Sequence, residues 1–158
     1  MIQNYLTVLE ESLHKKIGLL QDIEEKSKQQ SEAFSKGDVT LPALDTLMDE
    51  KAELISRIGK LDEGFDSLYQ KIKEELLTHK AEYAGQIKQI QQLILKVTEL
   101  SASIQALEAR NKQMVEQYFK EEKISIKRQK ASSKVSLNYY QSMNKVNNVP
   151  PQFMDEKK

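Results

Sequence analysis

Residues 87–114 read IKQIQQLILKVTELSASIQALEARNKQM. One apolar stripe passes through Ile90, Ile94, Val97 and Ile104, and a second runs beside it through Leu93, Leu100, Leu107 and Met114. Steps of three, four and seven mark a helix with a buried face. A face this wide suits packing against two helices better than the narrow seam of a two-stranded coil. The same rhythm extends back through Leu44, Leu47, Leu54, Ile58, Leu61, Phe65, Leu68, Ile72 and Leu76. It predicts an all-α fold: an elongated, coiled-coil-like antiparallel bundle of three main helices.

Composition agrees with rods. The chain has 158 residues, 39% hydrophobic and 30% charged, with five Gly and three Pro. A rod has much surface and a thin core, which lowers the first fraction and raises the second. Lys and Arg number 24 and so do Asp and Glu, and this balance argues against a dedicated nucleic-acid or membrane binder. There is no cysteine, so neither a disulfide framework nor thiol chemistry is expected. The N-terminal residues lack a signal-peptide pattern, and no apolar run is long enough to span a bilayer. The expected setting is the cytoplasm.

Outward from the long rhythm, Ile2, Leu6, Leu9, Leu13, Ile17, Leu20 and Ile23 predict a first helix over about residues 2–35. After Ile23 the stripe thins until Phe34, so the last turns are expected to project or fray. Gly37 suits a left-handed helix stop, Thr40 an N-cap and Pro42 the first turn of a second helix. That helix is expected to run to about Asp62. Gly64 and Thr78 are the two places where the rhythm can break and create a short fourth helix. The bundle is assigned to residues 1–130, and residues 131–158 to a basic and apolar C-terminal tail.

The chemical inventory is thin. His14 and His79 are the only histidines, and neither has the neighbouring ligands that a zinc site requires. His79 is expected to fill a seam position between Leu76 and Tyr83. Adjacent carboxylates such as Glu74 and Glu75 point about 100° apart on a helix and serve as solvated faces, not as an acid/base pair. No phosphate loop or nucleophile motif is present. No enzyme activity, catalytic residue, cofactor or metal is expected.

From Lys120 to Lys134 six cations stand against two carboxylates, a net charge of plus four. Ile124, Ile126 and Val135 interleave with them, which fits an amphipathic segment meeting a protein groove. A solvated helix end and a phosphate-binding patch are the other readings. Beyond it, Tyr139, Tyr140 and Met143 are adaptable interface residues. The sequence leaves open whether this tail docks a partner or folds back on its own bundle.

Two segments carry a resemblance. Leu47-Met48-Asp49-Glu50-Lys51-Ala52-Glu53-Leu54-Ile55 lies on the second helix, and Ala109-Arg110-Asn111-Lys112-Gln113-Met114-Val115 lies late on the last. With the long first helix and its Gly/Asp turn, they resemble the flagellar export chaperones of the FlgN/FliT type over about residues 1–120. The resemblance implies a type III export chaperone that binds the C-terminal helical segment of a hook-associated or filament-cap protein. It would prevent premature assembly and deliver the client to the export apparatus, without nucleic-acid binding or membrane insertion. By position, it places partner contacts on Met114, Tyr118, Phe119, Ile124, Ile126, Tyr139 and Tyr140. A structural coiled coil that only oligomerises is the alternative, because an apolar seam can be covered by a client or by a second copy in a homodimer.

Overall fold

The structure, a computed structural model, describes residues 2–121 and Tyr139. Among the described residues the chain forms three helices and no strand: α1 (Ile2–Lys36), α2 (Leu41–Thr78) and α3 (Ala84–Glu121). At 1.5 Å per residue these are rods of roughly 50–60 Å. Ion pairs between Lys16 and Asp62 and between Lys26 and Glu50 show α2 running antiparallel to α1. Contacts of Ser103 with Glu24, Asn111 with Ser27 and Tyr118 with Phe34 show α3 running parallel to α1. The bundle therefore goes up, down and up.

The turn between α1 and α2 is built as the sequence predicts. Gly37 has φ of 74°, and the N–H groups of Gly37 and Asp38 donate to the carbonyls of Phe34 and Ala33. This is a Schellman-type closure that needs a left-handed residue. Thr40 Oγ1 accepts the Ala43 N–H at 3.3 Å, and Pro42 occupies the first turn, where a missing N–H costs least.

The second break falls at Thr78, one of the two places expected, and not at Gly64. α2 does not stop near Asp62 but continues through Gly64 to Thr78. Phe65, Tyr69, Ile72 and Leu76 on its second half are all buried. Burying such a side chain contributes about 1.5–3 kcal/mol, against a cost of about 1 kcal/mol for one helical glycine. The rhythm wins, Gly64 makes no kink that divides α2, and no fourth helix appears among the described residues. His79 does not fill the seam; it is exposed at the C-cap, where its N–H donates to the Glu75 carbonyl.

α1 is the middle of the arrangement. It packs along both other helices, whereas no described Cα of α2 lies within 8 Å of one of α3. Of the two stripes on α3, Ile90, Ile94, Val97 and Ile104 are fully buried. Leu93, Leu100, Leu107 and Met114 remain half-buried. The wide face is thus sealed along one stripe, while the other packs its Leu93 and Leu100 against the core edge and keeps part of its surface exposed.

The two kinds of glycine should respond oppositely to alanine. Gly37→Ala puts a Cβ at positive φ and should lower stability by about 1 kcal/mol. Gly59 lies inside α2 and an added Cβ there meets nothing within 4 Å. Gly59→Ala should raise stability by about 0.5–1 kcal/mol. Urea denaturation of the two variants measures both.

Candidate functional site

The seam of each helix changes character towards one end of the bundle. On α1 the three-four spacing continues past Leu20 and Ile23 into Ser27 and Gln30, and on α2 Lys51 falls between Met48 and Ile55. On α3 Glu108 and Asn111 follow Ile104. All five polar side chains are buried, Lys51 completely. The end of α1 stays helical to Lys36, with burial carried on by Ser27 and Gln30 and then by the partly buried Phe34.

They form one network. Lys51 Nζ donates to Gln30 Oε1 at 2.7 Å, to Glu108 Oε2 at 2.8 Å and to Ser27 Oγ at 3.4 Å. Three acceptors match the three protons of an ammonium. Glu108 Oε1 accepts from Asn111 Nδ2 at 2.9 Å, and the same amide nitrogen donates to the Ser27 carbonyl at 3.0 Å. The Tyr139 ring lies over the ammonium, 4.7 Å from Nζ to its centroid, in cation–π geometry. Burial pushes the Lys51 pKa below the ordinary lysine value, because loss of water outweighs the neighbouring Glu108 carboxylate. Gln30 Nε2 and Asn111 Oδ1 are buried and find no hydrogen-bond partner among the described residues.

A second ion pair lies nearer the middle. The Lys16 ammonium is buried and donates to Asp62 Oδ1 at 2.8 Å. Burial raises the Asp62 pKa above the ordinary carboxylate value, opposed by Lys16.

Of the residues assigned to partner contacts, the four that are described, Met114, Tyr118, Phe119 and Tyr139, gather at the same end. Met114 is half-buried on the open stripe of α3. Tyr118, also half-buried, meets the Phe34 ring edge-on at 6.1 Å and the Phe119 ring at 6.0 Å. Phe119 and Tyr139 are each 2% exposed and belong to the core. Tyr139 thus packs on the bundle in the free chain. Ile124, Ile126 and Tyr140 lie outside the described residues. Neither motif nor charge pattern marks Ser27, Gln30 and Glu108 in the sequence, and Lys51 and Asn111 stand out only within the two segments that carry the resemblance. Their signal was positional, since each stands where the spacing calls for an apolar residue.

Removing one partner from this network should be costly. Lys51→Met leaves the Glu108 carboxylate buried without its cation and should cost about 3–5 kcal/mol, whereas Lys51→Met/Glu108→Leu should recover much of the loss. Stability should also carry a pH signature. The folded-state pKa of Lys51 lies below that of the unfolded chain, so between the two the unfolded state binds more protons and stability rises with pH. That rise, ending near the ordinary lysine value of 10.5, should be absent from Lys51→Met, so that subtracting the variant's denaturation profile from that of the unmodified chain isolates it.

Lys51 and Asn111 are the residues at which the two resemblance-bearing segments meet in space, both in direct contact with Glu108. No curated protein and no solved structure matches the chain. The family described as "FlgN protein" does match it, over residues 1–146, so most of the chain is covered, including the whole bundle and Tyr139. The chain belongs to the FlgN family of flagellar export chaperones.

Proposed function

We propose that the protein binds the C-terminal helical segment of a hook-associated or filament-cap protein in the cytoplasm, prevents its premature assembly, and delivers it to the export apparatus. The observation that carries this reading is the half-open stripe of Leu93, Leu100, Leu107 and Met114 on α3. Its seven-residue spacing matches what a visiting amphipathic helix presents, and helix-in-groove docking uses such complementary seams. A filament-type client carries an apolar segment with no partner until assembly. A chaperone stripe already covered on one side supplies that partner without unfolding.

The aromatic end of α3 extends the seat. Met114 and Tyr118 offer adaptable, partly exposed surface, and Phe119 backs them from the core. Ile124, Ile126 and Tyr140 would continue the contact into the tail assigned to residues 131–158 and the segment before it. Tyr139 would contribute by holding that segment against Lys51.

Calorimetric titration of the full chain with C-terminal peptides of hook-associated and filament-cap proteins tests the assignment. One of these peptides should bind, and Leu107→Glu/Met114→Glu should weaken it at least about tenfold while the thermal transition stays cooperative. Absence of binding by every peptide, together with a concentration-dependent dimer that the same double substitution dissolves, would replace the client role with self-association.

A further inference from the structure

A second surface lies away from the α3 stripe. Between α1 and α2 runs an open cleft of about 600 Å³ beside Gly18, Leu19 and Leu61. It continues into a smaller cleft of about 230 Å³ beside Gly64 and Leu68, and Lys15, Lys60 and Leu61 line both. At one end Val8 is 50% exposed. The floor is apolar, and its depth comes from glycines. A Cβ added at Gly18 or Gly64 would meet nothing within 4 Å, so packing within the chain does not require either residue. Both stand inside helices, where glycine is unfavourable.

The rim has a sign. Lys15, Arg57 and Lys60 line the cleft, and among the described residues none of them forms an ion pair. Glu11 and Asp22 also line it, to either side of Lys15 along α1. Three cations that form no ion pair among the described residues, against two carboxylates, therefore border the apolar floor. The excess of positive charge on this rim disfavours the chain's own basic segment, Lys120–Lys134, as occupant and favours a partner that brings carboxylates.

We propose that the α1/α2 groove docks an amphipathic helix of another protein, whose apolar stripe enters over Gly18 and Gly64 and whose flanking carboxylates pair with Lys15, Arg57 and Lys60. The occupant differs from a client on the α3 stripe in face and in charge, so the chain can hold both partners at once. Its requirements are an i, i+3, i+4, i+7 apolar row and acidic residues beside it. Electrostatic matching at the rim governs which helices are accepted and how fast they arrive.

Isotope-labelled full-length protein titrated with a designed Leu/Glu amphipathic helical peptide tests this, with the amide signals of Gly18, Gly59 and Gly64 as reporters. A Lys-flanked counterpart and a scrambled Leu/Glu peptide serve as controls. The Leu/Glu helix should shift the three glycine signals saturably, and the two controls should not. Lys15→Glu/Lys60→Glu should weaken binding at least about tenfold and admit the Lys-flanked helix. Gly18→Leu/Gly64→Leu should fill the groove and abolish binding with the helical circular-dichroism signal and melting retained. No saturable shift, equal response to the scrambled peptide, or shifts confined to α3 would overturn the proposal. So would glycine shifts that depend on protein concentration without peptide, which assign the groove to a second copy. Binding of duplex DNA lost in Lys15→Glu/Lys60→Glu, with no peptide response, would equally overturn it.

Discussion

A lysine ammonium can sit in a dry core only if oxygens surround it, and here those oxygens come from two other helices. Lys51 of α2 finds Ser27 and Gln30 on α1 and Glu108 on α3. Because no described Cα of α2 comes within 8 Å of α3, this ion pair is a direct bridge across their separation. It is a poor source of net stability, since desolvating both charges offsets most of their attraction. What it supplies is register. Apolar seams with three-four spacing tolerate sliding by a heptad, because one leucine replaces another. A slip of α3 by seven residues in either direction would set Ser101 or Val115 beside Lys51 in place of Glu108 and leave a buried cation without its counter-ion. Only one alignment of the three helices satisfies the network.

That constraint explains why a thin bundle can leave apolar surface half-covered. With alignment fixed by charge, α3 need not spend both of its stripes on its own core. Ile90, Ile94, Val97 and Ile104 anchor it to the bundle, while in the neighbouring row Leu93 and Leu100 pack against the core edge and all four side chains keep part of their surface exposed. An arrangement held by apolar contact alone would gain by rotating α3 to bury both rows. The buried amide of Asn111, donating to both Glu108 and the Ser27 carbonyl, opposes such rotation directly.

The helices were legible in the sequence wherever local chemistry and burial agree. Gly37, Thr40 and Pro42 each have one sensible conformation, and all three adopt it. Gly64 misleads because its local signal is contradicted by Phe65, Tyr69 and Ile72, whose burial is a property of α1 as much as of α2. His79 was placed in the seam by spacing alone, but α2 ends one residue earlier. The polar network was hidden for a different reason. A search for apolar periodicity treats Ser27, Gln30 and Lys51 as gaps, so the end of α1 read as weakly packed. Their spacing carried the information, and pairing Lys51 with Glu108 across α2 and α3 required the third dimension.

An elongated bundle with one helix in the middle necessarily has two long outer grooves, and here the sequence treats them differently. On α3 the open row carries large apolar side chains, Leu93 to Met114, which offer area and adaptability. Between α1 and α2 the cleft is deepened by residues with no side chain and bordered by unpaired cations, which offers shape and charge instead. A surface of the first kind accepts many greasy helices with modest discrimination; one of the second kind rejects those lacking carboxylates at the right offset. Two partners on a single face would compete, whereas two unlike faces allow both to be bound together, as the proposals above require. The middle position of α1 keeps those faces apart; its apolar seam from Ile2 to Ile23 holds it there, and the Lys51 network sets the register of the helices around it.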